Sequence, residues 1–157
     1  METGLVLALV GAALATFLSG MGSAKGVGIV GQAAAGVTAE DPSKFGQTLL
    51  LQALPATQGI YGLLIAFLVL LKVGIVGGEP QIELTLYKGI NILLACLPIA
   101  VVGFFSAIHQ GRAAAAGVGI VAKQPNEVSK AMIYAAMVET YAVLALLISF
   151  LMLNGIQ

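Results

Sequence analysis

Four stretches of this chain are too long and too apolar to lie on the surface of a water-soluble domain. They run from about Leu5 to Ala35, Phe45 to Val76, Ile90 to Val121 and Ala131 to Leu153. A helix needs about 20 consecutive apolar residues to cross the hydrocarbon core of a bilayer, and each stretch exceeds that. In hydrocarbon every backbone N–H and C=O must be satisfied within its own segment, so these stretches are expected to be helices. The composition agrees, with 59% hydrophobic and 9% charged residues, against about 25% charged in soluble domains. The expected fold is an all-α membrane protein of four transmembrane helices. Glu2 stands where a signal peptide would carry a basic residue, so the first stretch reads as a retained helix and not a cleaved leader. The formal net charge is zero and the chain has no basic cluster. That is unsuited to neutralising a phosphate backbone, and no nucleic-acid partner is expected.

The segments group as two hairpins. Residues 1–76 form the first, residues 77–89 a connecting loop and residues 90–157 the second. The short polar connections within the hairpins, 36–44 and 122–130, contain Pro42 and Pro125, and Gly77-Gly78-Glu79-Pro80 is a strong stop between them. Lys25, Lys44, Arg112, Lys123 and Lys130 lie toward the hairpin connections, whereas Lys72 and Lys88 lie toward the central loop. The positive-inside rule then places loops 36–44 and 122–130 in the cytoplasm and both termini outside, in a multi-pass protein of the cell membrane.

The two hairpins repeat one another. Phe17-Leu18-Ser19 aligns with Phe104-Phe105-Ser106, and the same offset pairs Lys25 with Arg112. After a gap of four residues, Pro42 aligns with Pro125 and Leu63-Leu64-Ile65-Ala66-Phe67 with Leu146-Leu147-Ile148-Ser149-Phe150. Both halves run in the same direction. In this alignment Thr57 meets Thr140 and Ala56 meets Glu139, so one half carries a carboxylate where the other carries a methyl group.

Glu139 is unlike the other acidic residues. Glu2, Glu40, Asp41, Glu79, Glu83 and Glu127 lie near the start or in the polar connections, but Glu139 sits midway along the last apolar segment. A charge at that depth costs about 2.5–3.5 kcal/mol on insertion scales, which marks it as a working residue. Other polar residues lie at comparable heights: Gln52, Thr57, Gln58 and Tyr61 in the second segment and Gln110 in the third. Pro55 removes a backbone donor and frees the Leu51 carbonyl. A hydroxyl, amide oxygens, a carbonyl and one carboxylate make an oxygen-only set, which suits a hard cation such as Na⁺ or Li⁺. The plainer alternative is helix-to-helix hydrogen bonding, worth about 0.6 kcal/mol per contact. That alternative is preferred for Gln52, and the ligand reading for Thr57, Gln58 and Gln110 around Glu139.

Other features carry less. Gly26-Val27-Gly28-Ile29-Val30-Gly31 fits a dinucleotide pattern but lies in a membrane helix with no preceding strand. Gly20, Ala24 and Gly28, with Gly22 and Gly26 on an adjacent line, and Ala107, Gly111 and Ala115 are small residues that let helices approach closely. Segments one and three are thus expected to form a tight inner layer. Cys96 reads as a small buried hydrophobe, and His109 is given no role. Two of the four tyrosines lie deep in apolar runs, where internal hydrogen bonds are expected.

Three runs carry a resemblance: Leu54-Pro55-Ala56-Thr57-Gln58-Gly59-Ile60-Tyr61-Gly62, Gln110-Gly111-Arg112-Ala113-Ala114-Ala115-Ala116-Gly117 and Met137-Val138-Glu139-Thr140-Tyr141. Together they resemble the rotor-ring proteolipids of V-type ATPases, above all those of bacterial sodium-translocating enzymes, over essentially the whole chain. The resemblance implies a homo-oligomeric ring with segments one and three inside and two and four outside. It implies Na⁺ ligands at the Leu54 backbone carbonyl, Thr57, Gln58, Gln110 and Glu139, with Tyr61 hydrogen-bonding the carboxylate. It further implies a stator membrane subunit with an essential arginine, a central-stalk subunit on the cytoplasmic side, and ATP hydrolysis in partner subunits, so that no catalytic residue is expected in this chain. The same rotor protein carrying H⁺, and more remotely a small secondary cation transporter, are the alternative functions; Li⁺ is a substitute ion for the same ligands.

Overall fold

The computed structural model describes residues 2–80 and 82–157. Among the described residues there are four apolar helical spans: Glu2–Glu40, Pro42–Lys72, Leu86–Lys123 and Pro125–Asn154. The first is one helix, α1 (Glu2–Glu40), and the third another, α4 (Leu86–Lys123). With 39 and 38 residues, at 1.5 Å each, they are about 57–58 Å long and project well beyond a hydrocarbon core of about 30 Å. The second span is divided. A 3₁₀ turn at Pro42–Lys44 leads into α2 (Phe45–Ala53), and a second at Leu54–Ala56 leads into α3 (Thr57–Lys72). The fourth opens on a 3₁₀ turn at Pro125–Glu127 and continues as α5 (Val128–Asn154).

The second span ends at Lys72, short of Val76. Gly74 takes φ +80°, the left-handed conformation that glycine adopts without steric penalty. The amides of Gly74 and Val76 then close on the Leu71 and Leu70 carbonyls, each at 3.2 Å. At the far side of the loop the Thr85 hydroxyl caps α4 by accepting from the Lys88 amide at 3.3 Å.

The most extensive packing lies between α1 and α4. A Cβ added to Gly22 would sit 2.5 Å from the Phe104 carbonyl oxygen, and one added to Gly111 would sit 2.5 Å from the Gly26 Cα. Gly4 meets Thr85 and Gly89, and Gly11 meets Leu93, by similarly close backbone approach. The sequence separation stays between 81 and 85 in these contacts, so the two helices run parallel from Gly4 to Gly26. The small-residue line that makes this contact contains Gly22 and Gly26. Gly20 and Gly28, expected alongside Ala24 to line it, have nothing near their absent side chains. Against this pair, α3 packs on α1 and α5 on α4, while α3 and α5 meet over a short stretch.

The duplication is visible in detail. Pro42 and Pro125 each open a 3₁₀ turn at the start of the second helix of their hairpin. The Thr57 hydroxyl donates to the Leu54 carbonyl at 3.0 Å, and the Thr140 hydroxyl to the Met137 carbonyl at 2.8 Å. The hairpin connections are braced together: Lys44 Nζ donates to the Ala122 carbonyl at 2.7 Å and Gln47 Nε2 to the Pro125 carbonyl at 3.0 Å. Asp41 accepts from the Ser43 hydroxyl at 2.6 Å and amide at 3.1 Å. Those two donors hold its carboxyl below the usual carboxylate range.

Candidate ion-binding site

The site is built where Pro55 interrupts the second span. Proline supplies no N–H and crowds the preceding turn, so the helix tightens to 3₁₀ over Leu54–Ala56 before α3 resumes. The Gly59 amide, which in an unbroken helix would bond the Pro55 carbonyl, instead donates to the Ser23 hydroxyl of α1 at 2.8 Å. The break presents three oxygens together. Thr57 Oγ1 lies 3.0 Å from the Leu54 carbonyl oxygen and 3.3 Å from Gln58 Oε1.

Glu139 faces this break from α5. Its Oε1 accepts from the Tyr61 hydroxyl at 2.6 Å, and its Oε2 accepts from Gln110 Nε2 of α4 at 3.2 Å. Gln58 Nε2 donates to Gln110 Oε1 at 2.5 Å. Thr57, Gln58, Gln110, Glu139 and Tyr61 therefore form one continuous hydrogen-bonded chain across three helices. Gln58 and Gln110 are fully buried, while Glu139 and Tyr61 are half-buried and lie toward the outer face. An open groove of about 370 Å³ reaches the carboxylate from that face, lined by Ala136, Glu139, Thr140, Val143 and Leu144.

The structure thus gathers Thr57, Gln58, Tyr61, Gln110, Glu139 and the Leu54 carbonyl into one place. The carbonyl at the site is that of Leu54, one turn beyond the Leu51 carbonyl that the proline frees. Gln52 lies elsewhere, its side-chain amide resting over Gly31. Of the two deep tyrosines, Tyr61 finds an internal partner but Tyr141 points outward at 66% exposure. His109 is likewise exposed. The sequence reading passed over Ser106, which is buried beside the chain of amides, donates to the Val138 carbonyl at 3.0 Å and lies 3.4 Å from Gln58 Nε2. Its spacing of four residues from Gln110, on one face of α4, was the available signal.

The donor set decides what kind of ion could bind. Among the described residues no three His, Cys, Asp or Glu side chains come together, so a polycarboxylate or thiolate centre for a divalent metal is not built. One carboxylate amid neutral oxygens matches the charge of one monovalent hard cation, and of H⁺ equally in charge.

Comparison with known proteins covers both hairpins. The profile of the ATP synthase C-subunit family matches twice, at residues 10–69 and 93–152. The chain belongs to that family. The two matches fall one on each hairpin, so the family unit is the hairpin and this chain holds two. V-type sodium ATPase subunit K of Enterococcus hirae is 52% identical over 149 residues, covering 95% of this chain and 91% of its own. A-type ATP synthase subunit K of Methanocaldococcus jannaschii is 43% identical over 152 residues, covering 97% of this chain and 64% of its own. The chain is thus a multi-pass membrane subunit of the ring-forming family of rotary ATPases.

Proposed function

We propose that this chain is the rotor-ring subunit of a rotary V-type ATPase and that each copy carries one Na⁺ across the membrane on Glu139. The observation that carries this reading is the carboxylate itself, at mid-span, with a donor on each oxygen and a cluster of neutral oxygens opposite. Ligands are assigned to the Leu54 carbonyl, Thr57 Oγ1, Gln58 Oε1, Gln110 Oε1 and Glu139, with Tyr61 steadying the carboxylate. The relative named as a sodium ATPase subunit supports Na⁺ as the cargo; Li⁺, also a hard monovalent cation, would share the site.

Bound Na⁺ and ionised Glu139 together have no net charge, so a loaded copy can face lipid where a bare carboxylate would cost several kcal/mol. Rotation brings the copy to a stationary membrane subunit. There a basic side chain, an arginine on the family resemblance, pairs with Glu139 and displaces the ion into an access path. The groove beside Glu139 gives the outward route to that encounter. Cytosolic ATP hydrolysis in partner subunits turns the ring, and moving one charge against 100 mV takes about 2.3 kcal/mol. Connections 36–44 and 122–130, braced through Lys44 and Gln47, form the cytoplasmic surface on which a central-stalk subunit sits, with both termini outside. One carboxylate per four helices gives few ions per turn, which favours a pump over a synthase.

The test is chemical modification of the assembled ring. A hydrophobic carbodiimide labels Glu139, Na⁺ protects it, and Glu139→Gln abolishes transport without dispersing the ring. Labelling at Glu139 that ignores Na⁺ would assign the same rotor to H⁺.

A further inference from the structure

We propose that Ser106 is a positioning residue for ion binding: its hydroxyl sets which atom of the Gln58 amide faces the ion. This rests on the reading of the Glu139 site as a Na⁺ site. A backbone carbonyl can only accept, and Ser106 commits its one hydroxyl hydrogen to that of Val138, at 3.0 Å. The Ser106 oxygen can then only accept from what lies on its other side, so the facing atom of Gln58 must be Nε2, 3.4 Å away. The second Nε2 hydrogen goes to Gln110 Oε1. With both hydrogens engaged, Gln58 Oε1 turns toward Thr57 Oγ1, 3.3 Å off, on the side of the Leu54 carbonyl.

The polarity propagates. Because Gln110 Oε1 takes the hydrogen from Gln58, Gln110 Nε2 is the atom that meets Glu139 Oε2, at 3.2 Å. An acceptor-only carbonyl at one end and a carboxylate at the other thus fix the same direction for both amides. Replacing Ser106 by alanine removes one of these two constraints. It also leaves a hydrogen of Gln58, a fully buried residue, without a partner, so orientations with Oε1 aimed away from the ion become competitive. Ser106 touches no proposed ligand atom other than through Gln58, and it acts through that amide.

The experiment measures the Na⁺ concentration that half-protects Glu139 from a carbodiimide in assembled rings. For Ser106→Ala we expect the ring to form and the half-protecting concentration to rise about tenfold, the scale of one net buried hydrogen bond. Ser106→Thr, which keeps the hydroxyl, restores the wild-type value. Ser149→Ala, which removes another buried hydroxyl from the same bundle, leaves it unchanged. In a Gln58→Ala background, Ser106→Ala adds no further loss, which separates positioning of Gln58 from general loosening of the bundle. Should alanine prevent assembly, Ser106→Cys, near in size and a weak donor, is read in its place with the same expectation. A wild-type titration in Ser106→Ala or its cysteine counterpart, or losses that multiply with Gln58→Ala, would overturn the proposal. Failure of Na⁺ to protect the unmodified ring would instead remove the sodium reading beneath it.

Discussion

A carboxylate at membrane depth needs a donor for each oxygen, and Glu139 takes one from Tyr61 at 2.6 Å and one from Gln110 at 3.2 Å. The tyrosine bond is the shorter and stands nearer the outer face, so on the proposed Na⁺ reading it is the one whose loss should ease release of the ion. Tyr61→Phe keeps the ring and removes only that donor; hydrogen bonds to charged groups contribute about 1.5–3 kcal/mol. The expected result is an assembled ring that releases Na⁺ at least about tenfold faster, read by exchange of radioactive Na⁺ from solubilised rings. An unchanged exchange rate would reduce the bond to packing. The polar residues of this chain were legible in the sequence because each sits in an apolar run where few other partners are within reach. Serines were not. Ser19 shows why: it bonds the Ala15 carbonyl of its own helix, which any helical serine can do unaided. Helical spacing does not reveal that Ser23 and Ser106 find their partners on other helices; for Ser106 the four-residue spacing from Gln110 was the one pointer.

Helix α1 presents small residues on two neighbouring lines, and only one of them is used inside the chain. Gly22 and Gly26 press on the backbone of α4, while Gly20 and Gly28 face open space. Hydropathy and residue size fixed the existence and length of the helices, because an apolar run of about 20 residues in lipid has no other solution. They could not fix the rotation of α1 about its axis, since both lines are equally small. What decides it is the partner: Gly22 is needed because the backbone of Phe104 stands behind it, and Gly26 because Ala107, Gly111 and Pro55 meet it. Gly22→Ala should therefore lower the stability of the chain by about 1–3 kcal/mol, since backbone cannot yield as a side-chain end does. Gly20→Ala should leave it unchanged. Thermal melting of the separated chain in mild detergent, followed by circular dichroism, compares the two. Equal melting of both variants would contradict the packing described. The break at Pro55 was legible as a proline in a membrane helix, but helix geometry alone pointed to the Leu51 carbonyl; Leu54 came only from the family resemblance, and the 3₁₀ turn is what presents its oxygen.

At the scale of the whole molecule the two halves share one frame, and only the second carries the carboxylate. Thr57 and Thr140 make the same bond one turn back, and Pro42 and Pro125 open the same turn. Yet the place equivalent to Glu139 holds Ala56, and the place equivalent to Gln110 holds Ser23, which serves the Gly59 amide instead. That asymmetry was readable from the aligned halves. The gathering of Thr57, Gln58 and Tyr61 of the first hairpin around the carboxylate of the second was expected from their shared height and from the family resemblance; the rotation of α3 that achieves it was not, because it depends on how the hairpins pack. The whole bonded chain from Thr57 to Tyr61 lies within one copy. On the proposed Na⁺ reading, the expected outcome is that each copy loads independently and that occupancy of a complete ring follows a simple hyperbola with a Hill coefficient of about one. A carbodiimide-protection curve on intact rings reads that coefficient directly, and a value well above one would mean that neighbours share a site. On that reading, the order in which ions board and leave would be imposed from outside, by the angle at which each copy stands, and would owe nothing to the ions already aboard.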